Sequence, residues 1–390
     1  MGELKPGWKT VKFGEVVRQV KEKADPETSG LERFVAGEHM DTDDLRIRRW
    51  GDIGAGYLGP AFHARFRPGQ VLYGSRRTYL RKVAVADFDG ICANTTFVLE
   101  PRDSEVLLPE LLPFIMQADA FHEHSKRESK GSVNPYVNFS DLAWYEFALP
   151  PLAEQRRLVR VFEAGRAVVD ACEEVLTNAR ATRLAYALQV FAQTSGATAT
   201  IGAHIEESTY GPRFDGGLYD ADGAVAQLRT TDIDDDGNIN YLTIPCVKAE
   251  PKALKAHLLR VGDVVISRSG TCGLTAVFEG HSRPTVAAAF LVRLRTRATL
   301  RPRYLHEYLS SPLGRSLSLS LARGGVQKNI NASELLDQKM IVPPLPAQDE
   351  VTSTLEAARS AEGQAKLRHM GARRLAQETL NAVLNSGESA

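Results

Sequence analysis

Leu149-Pro-Pro-Leu-Ala-Glu-Gln155 and Val342-Pro-Pro-Leu-Pro-Ala-Gln348 are one phrase written twice, 193 residues apart. The register continues upstream without a gap: Gly69 matches Gly262, Pro109 matches Pro302, Gly131 matches Gly324, Ser140 matches Ser333 and Leu142 matches Leu335. Downstream, Glu163, Ala164 and Arg166 match Glu356, Ala357 and Arg359. Nearer the start, Phe13-Gly14-Glu15-Val16-Val17 aligns with Ile201-Gly202-Ala203-His204-Ile205 only after a small gap. A period of this length is too long for a solenoid unit, so the chain reads as two copies of one domain, each with its tail. The length of 390 residues also favours more than one folding unit.

Each copy follows the same plan. Short strand-like runs come first: Gln70-Val-Leu-Tyr73 and Phe97-Val-Leu99, then Asp263-Val-Val-Ile266 and Phe290-Leu-Val-Arg-Leu294. Turn signals at Arg67-Pro-Gly69, Asp235-Asp-Gly-Asn238 and Gly324-Gly325 separate them. A short helix is expected at Pro109–Phe121, with its mate at Pro302–Leu313. After the double proline, Ala153–Gln193 and Gln348–Asn385 are free of proline and low in glycine, which predicts two long helices of roughly 55–60 Å each. In the first, Leu158, Val161, Gly165, Val168, Cys172, Val175, Ala179 and Thr182 alternate steps of three and four, the spacing of a coiled-coil seam. In the second, Val351, Ala358, Ala361, Ala365, Ala372 and Leu375 form the matching series, broken by Arg368. One reading packs each helix on its own domain. The other, adopted here, pairs the two rods antiparallel, with pseudo-twofold symmetry. The expected fold is therefore α+β: two tandem mixed domains at 1–151 and 194–344, followed by helices at 152–193 and 345–390.

Composition narrows the class. An apolar fraction of 43% and a charged fraction of 25% are those of an ordinary globular chain, not of a disordered or collagen-like one. The longest apolar run, Thr285–Val292, is far short of the ~20 residues that span a bilayer, and Met1–Trp8 has no hydrophobic signal core. No membrane association is expected. Cys92, Cys172, Cys246 and Cys272 form no C-x-x-C pair, which suits a reducing cytoplasm and argues against zinc.

The 48 basic and 48 acidic residues cancel in total but not in distribution. Between Asp52 and Asp87 lie Arg65, Arg67, Arg76, Arg77, Arg81 and Lys82 without an acid. From His281 to Ser333 the only acid is Glu307, against nine Arg and Lys. A single charge run is usually a solvated face. Basic stretches inside both copies instead suggest a phosphate-backbone partner.

Two kinds of turn recur in these stretches. One is a strand-end turn, Tyr73-Gly-Ser-Arg-Arg77 and Ile266-Ser-Arg-Ser-Gly-Thr271. The other is a polar glycine turn after the short helix, Ser129-Lys-Gly-Ser-Val-Asn134 and Arg323-Gly-Gly-Val-Gln-Lys-Asn329. The candidate DNA-binding residues are Arg76, Arg77, Lys130, Ser132 and Asn134 in the first copy. In the second they are Arg268, Ser269, Thr271, Arg323, Gln327, Lys328 and Asn329. Arg and Lys bond guanine O6 and N7, while Asn and Gln bond adenine N6 and N7. Purely structural turns are the alternative, and the division between base and phosphate contacts stays open.

No catalytic pattern survives inspection. Gly54-Ala-Gly-Tyr-Leu-Gly59 is followed at once by Pro60, so no helix opens to receive phosphates. Asp232-Ile-Asp-Asp-Asp-Gly237 begins like a calcium loop, but its twelfth position is Thr243. His122 and His124, two residues apart, face different sides of a helix. Asn134-Pro-Tyr136 lacks the second proline of the Asn-Pro-Pro-aromatic motif of amino methyltransferases.

The whole chain resembles the specificity subunit of a type I restriction–modification system. The resemblance rests on Gly262-Asp-Val-Val-Ile-Ser-Arg-Ser-Gly-Thr271, on the basic glycine turns, and on Pro-Pro-Leu-x-x-Gln leading into each long helix. Pro68-Gly-Gln-Val-Leu-Tyr-Gly-Ser-Arg-Arg77 is a looser first copy, so the carry-over to Arg76 and Arg77 is weaker. The resemblance implies two target-recognition domains, each docking in the major groove of one half of a bipartite, asymmetric site. It implies that the helix pair fixes the gap between the halves. It also implies two modification subunits that methylate adenine with S-adenosylmethionine, and restriction subunits that use ATP and Mg. None of these cofactors is expected on this chain, and catalysis is expected in the partners. A stand-alone DNA-binding defence adaptor, without a methyltransferase partner, is the alternative. An enzyme with a degenerate active site is a third reading.

Overall fold

The computed structural model describes residues 4–324 and 329–385. They divide into two compact units. One unit joins the residues up to Glu173 with those from Leu367 onward, and the other spans Glu174–Lys366.

In the first unit, an antiparallel sheet runs in the order Val17–Val20, Thr96–Pro101, Val71–Gly74, Val83–Val85. Val71–Gly74 is buried along its whole length, which is why it reads as an unbroken apolar run rather than an alternation. A second sheet runs Gly51–Asp52, Arg33–Val35, Gly90–Ala93, Phe62–Phe66, with the pairing of Arg33–Val35 on Gly90–Ala93 parallel. A two-stranded ribbon of Lys9–Lys12 on Glu146–Leu149 brings the start of the domain to the foot of its helix.

The second unit repeats this plan. Its first sheet runs Ile205–Tyr210, Leu291–Thr296, Val264–Ser267, Thr275–Val277. Its second runs Cys246–Val247, Val225–Leu228, Thr285–Ala287, again with a parallel pair, Val225–Leu228 on Thr285–Ala287. The ribbon is Ala197–Thr200 on Lys339–Val342.

The repeated residues have repeated jobs. Gly69 (φ 85°) and Gly262 (φ 91°) occupy the left-handed position of the turn that opens each central strand, where a side chain would be strained. Gln155 and Gln348 are fully buried at the starts of the long helices. Gln155 donates from Nε2 to the carbonyls of Val106 and Pro150 and accepts from the Leu108 amide at 2.9 Å. Gln348 does the same with Thr299, Pro343 and Arg301. Every partner is displaced by the same 193 residues, so the glutamine of the repeated phrase is the clamp between domain and helix.

Where one short helix was expected in each copy, two are present: Leu112–Gln117 and Asp119–Arg127, then Pro302–Ser310 and Pro312–Leu321. Ala118 and its equivalent Ser311 are both extended and break the run. In the second copy Pro312 cannot continue a helix and the Ser311 side chain caps the next one. In the first, Arg81 holds the Gln117 carbonyl at 2.8 Å.

The long helices are Leu152–Gln193 and Leu345–Asn385. They run antiparallel. Leu380 shares a core with Leu158, Val159 and Phe162, while Leu355 shares one with Ala187 and Phe191. The seam differs from the expected one at alternate positions. Val161, Val168 and Val175 are 39%, 55% and 54% exposed, and Thr182 is exposed too. The inward series is Leu158, Phe162, Gly165, Val169, Cys172, Leu176, Ala179 and Arg183. In the second helix Ala361 and Leu375 likewise face outward, with Glu362 and Ala376 in their places, and His369 turns inward where Arg368 broke the series. A helix of 3.6 residues per turn allows steps of three-then-four or four-then-three from the same starting residue. Polar residues at the true seam hid the correct choice.

Candidate nucleic-acid interface

In the first unit, the two predicted turns come together. Ser75, just beyond the central strand, donates its amide to the Thr95 carbonyl, and its own carbonyl accepts the Val137 amide at 3.0 Å. Lys130 and Tyr136 exchange backbone hydrogen bonds at 2.7 and 2.9 Å, closing the glycine turn into a hairpin. Arg76 bridges to Tyr136 and lays its guanidinium 5.0 Å from the Tyr136 ring centroid. Arg77 is left-handed (φ 50°), with its amide on the Pro135 carbonyl at 2.6 Å and its Nε on Asn134 Oδ1 at 3.3 Å. Arg76, Arg77, Lys130, Ser132 and Asn134 are all exposed.

The second unit builds the same knot 193 residues on. Arg268 donates its amide to the Phe290 carbonyl, and its own carbonyl accepts the Ile330 amide at 2.8 Å. Arg323 and Asn329 exchange hydrogen bonds at 3.0 and 2.8 Å, and Ser269 bridges to Asn329. Arg323, Asn329 and Thr271 are exposed, and Ser269 is buried. The Arg268 guanidinium lies 4.5 Å from the Tyr210 ring centroid. Beside it opens a cleft of about 390 Å³ lined by Tyr210, Arg268, Leu321, Arg323, Asn329 and Glu334. Gln327 and Lys328 lie outside the described residues.

Each hairpin is tethered by an ion pair at an equivalent place. Lys130 Nζ meets Asp141 at 2.9 Å, and Arg323 meets Glu334 at 3.3 Å. The hydrogen bond from Lys130 holds the Asp141 carboxyl below its ordinary range and raises the Lys130 ammonium in turn. Tyr136, Tyr210, Asp141 and Glu334 were not read as site residues from the sequence. For Tyr136, Asp141 and Glu334 the available signal was an aromatic or an acid a few residues from a basic glycine turn; Tyr210, 58 residues before Arg268, carries no such signal.

The wider basic runs do not survive folding as open patches. Arg65 pairs with Asp89 and Glu22, Arg67 with Glu22, and Arg81 with Asp43 and Asp119. Arg293 and Arg295 pair with Glu207 and Asp263, Arg301 with Asp349, and Arg303 with Glu279 and Glu356. Acids scattered through other segments of the chain cover these cations. Among the described residues, Arg76, Arg77 and Arg268 at the knots have no carboxylate partner, and neither have Arg283, Arg297 and Arg315 elsewhere in the second run, of which Arg283 and Arg315 donate to backbone carbonyls instead.

Among the described residues no group of His, Cys, Asp and Glu is placed to hold a metal, and no helix is long and apolar enough to cross a membrane.

Comparison with known proteins gives the family. Residues 6–170 and 223–362 match the type I restriction modification DNA specificity domain. The specificity subunit of the Escherichia coli type I restriction enzyme EcoDI is 32% identical over 117 residues, which are 30% of this chain and 25% of that protein. The match thus spans about a quarter of that relative's length. A solved chain from work on complex assembly and conformational transition of the type I R-M system covers 99% of this chain and 98% of itself, at 22% identity and a TM-score of 0.65. The S subunit of a type I restriction–modification system from M. genitalium covers 98% and 96%, at 13% identity and a TM-score of 0.55. At these identities the structural likeness speaks for the fold, two mixed domains with paired long helices. The sequence match extends over both copies of the repeat, and specificity subunits are the non-catalytic members of their systems. The chain belongs to the type I restriction–modification DNA specificity family.

Proposed function

We propose that the chain reads a bipartite, asymmetric site on double-stranded DNA, one half-site per recognition domain, and scaffolds two methyltransferase subunits that methylate adenine. The observation that carries this reading is the duplicated knot. Two domains of one plan present different exposed side chains at equivalent positions, Lys130 and Tyr136 in one and Arg323 and Asn329 in the other, and Arg76 is exposed where its equivalent Ser269 is buried. Equivalent frames with unlike contact residues suit two unlike half-sites. The DNA-contacting set is Arg76, Arg77, Lys130, Ser132 and Asn134, with Arg268, Ser269, Thr271, Arg323, Gln327, Lys328 and Asn329.

On this reading residues 1–151 and 194–344 are the recognition domains, and the helices 152–193 and 345–390 act as the ruler between half-sites. The exposed valines of the first helix, Val161, Val168 and Val175, belong to the surface offered to the methyltransferase subunits. S-adenosylmethionine belongs to those partners, and ATP and Mg to restriction subunits. The complex works in the cytoplasm, where its DNA is.

The test is a genome-wide map of methylated adenine in cells that express the chain with its neighbouring modification subunit. A split motif with a fixed unread gap is expected. An assembled complex that leaves no new methylation would remove the methyltransferase role and leave a DNA-binding adaptor.

A further inference from the structure

Arg268 differs from five other arginines of its unit. Arg293, Arg295, Arg301, Arg303 and Arg323 all meet carboxylates. Arg268 has no hydrogen-bonded or ionic side-chain partner among the described residues, and its Nε is buried without an acceptor. Its plane is nonetheless held. The guanidinium rests on Tyr210, and the Tyr210 hydroxyl is itself fixed by the Ala332 amide at 3.3 Å. The carbonyl of Arg268 is pinned by Ile330 and its amide by Phe290, so both ends of the residue are set by the fold. Because Nε faces protein, the two Nη groups form the edge left for the cleft that Arg268 lines.

We infer that Arg268 is a base reader, and that it requires a guanine in the half-site of the second recognition domain. This rests on the DNA-reading function proposed above. A planar fork with two parallel N–H donors fits guanine, which offers O6 and N7 side by side in the major groove. A phosphate accepts the same fork, but phosphate contacts are made as well by mobile, solvated cations. Arg268 is half-buried, stacked and without an anchoring acid. Burying Nε unpaired is a cost that a loose backbone contact does not require. Arg323, exposed and tethered to Glu334, is not held in this way.

The first domain places Ser75 at the equivalent position. Its hydroxyl is already committed to the Thr95 carbonyl at 2.7 Å. No guanine contact arises from that position, so the requirement belongs to one half-site alone.

The experiment compares the full chain with R268K and R268Q, each in complex with the modification subunit, by methylation mapping and by binding to the mapped site. The expected result is one half-site in which a single guanine becomes degenerate in both variants, with the other half-site unchanged. Replacing that guanine by 7-deazaguanine, which lacks the N7 acceptor, is expected to weaken wild-type binding by about ten- to a hundred-fold and to leave R268Q unaffected. R268K keeps the charge and removes the fork, so it separates geometry from electrostatics. Two results overturn the inference. One is uniform weakening on all DNA, with an unchanged motif and a salt slope reduced by about one, the mark of a phosphate contact. The other is degeneracy at a base other than guanine. A wild-type complex with no split motif would instead overturn the proposed function itself. Thermal unfolding of both variants alongside wild type separates a misfolded protein from a misreading one.

Discussion

Arg183 of the first long helix donates to Glu362 of the second at 2.5 Å, and the two side chains are only 8% and 9% exposed. Asp236, from a loop of the second recognition domain, joins them at 3.3 Å. The equivalent residues, one repeat of 193 away, are Ala376 and Val169. The buried ion pair thus has half-buried apolar side chains as its counterpart in the first unit.

Truncating one partner leaves the other charge buried. Arg183→Ala is expected to cost about 3–5 kcal/mol, because Arg180, 3.9 Å from Glu362 and largely exposed, is a poor substitute. The double variant R183A/E362V, which copies the equivalent residues, is expected to recover part of that loss. Urea unfolding of the three proteins decides it. An R183A variant as stable as wild type would mean the pair contributes nothing.

The two clamp glutamines make a prediction with a local readout. Gln155→Leu or Gln348→Leu removes three hydrogen bonds and strands buried carbonyls, at a cost of about 1–3 kcal/mol for each group left unpaired. Faster hydrogen exchange is expected at the Leu108 amide in the first variant and at the Arg301 amide in the second. Uniform acceleration across both units would argue against a local clamp.

His306 gives the fold a pH dependence. It is almost fully buried, and burial, with Arg359, Arg303, Arg315 and Arg183 nearby, pushes its pKa down to about 3. The folded pKa lies below the unfolded value, so the unfolded chain binds the extra proton. The stabilising contribution of the neutral ring is full above the unfolded pKa of about 6.5 and is lost as pH falls from there towards 3, with a slope of at most about 1.4 kcal/mol per pH unit. Urea midpoints of wild type and His306→Gln are expected to diverge in slope across this window. Parallel curves would show that His306 does not titrate with unfolding.

Lys130 and Arg323 serve different half-sites on the proposed function. Lys130→Ala is expected to weaken binding only to DNA with an intact first half-site, and Arg323→Ala only to DNA with an intact second. Each is an exposed ion pair, so stability is expected to change by less than about 1 kcal/mol. Binding to probes with either half randomised provides the check; equal losses on both probes would sink the division of labour between the domains.

Much of this architecture was legible because it is duplicated. Pairs such as Gly69 with Gly262 and Gln155 with Gln348 are held by turn geometry and buried hydrogen bonds that tolerate few other residues. The strand runs were readable because Val71–Gly74 and Val264–Ser267 are buried on both faces. The seam was misread at alternate positions because Arg183, Glu362 and His369 carry no apolar signal. The break at Ala118 carries no proline to mark it, and the Arg81 side chain that takes up the Gln117 carbonyl there comes from a distant segment.

The sequence by itself determined the two-copy plan, the strand runs, the long helices after each double proline and the turns that carry the candidate contacts. These are local or periodic properties, fixed by backbone geometry and hydrophobic pattern. Only the tertiary structure decided which cations remain available. Arg65, Arg81 and Arg295 look like Arg76 and Arg268 in a linear reading, yet acids from distant segments close over the first three. Ion pairing depends on distances of a few ångströms between residues far apart in the chain, and no window along the sequence contains both partners.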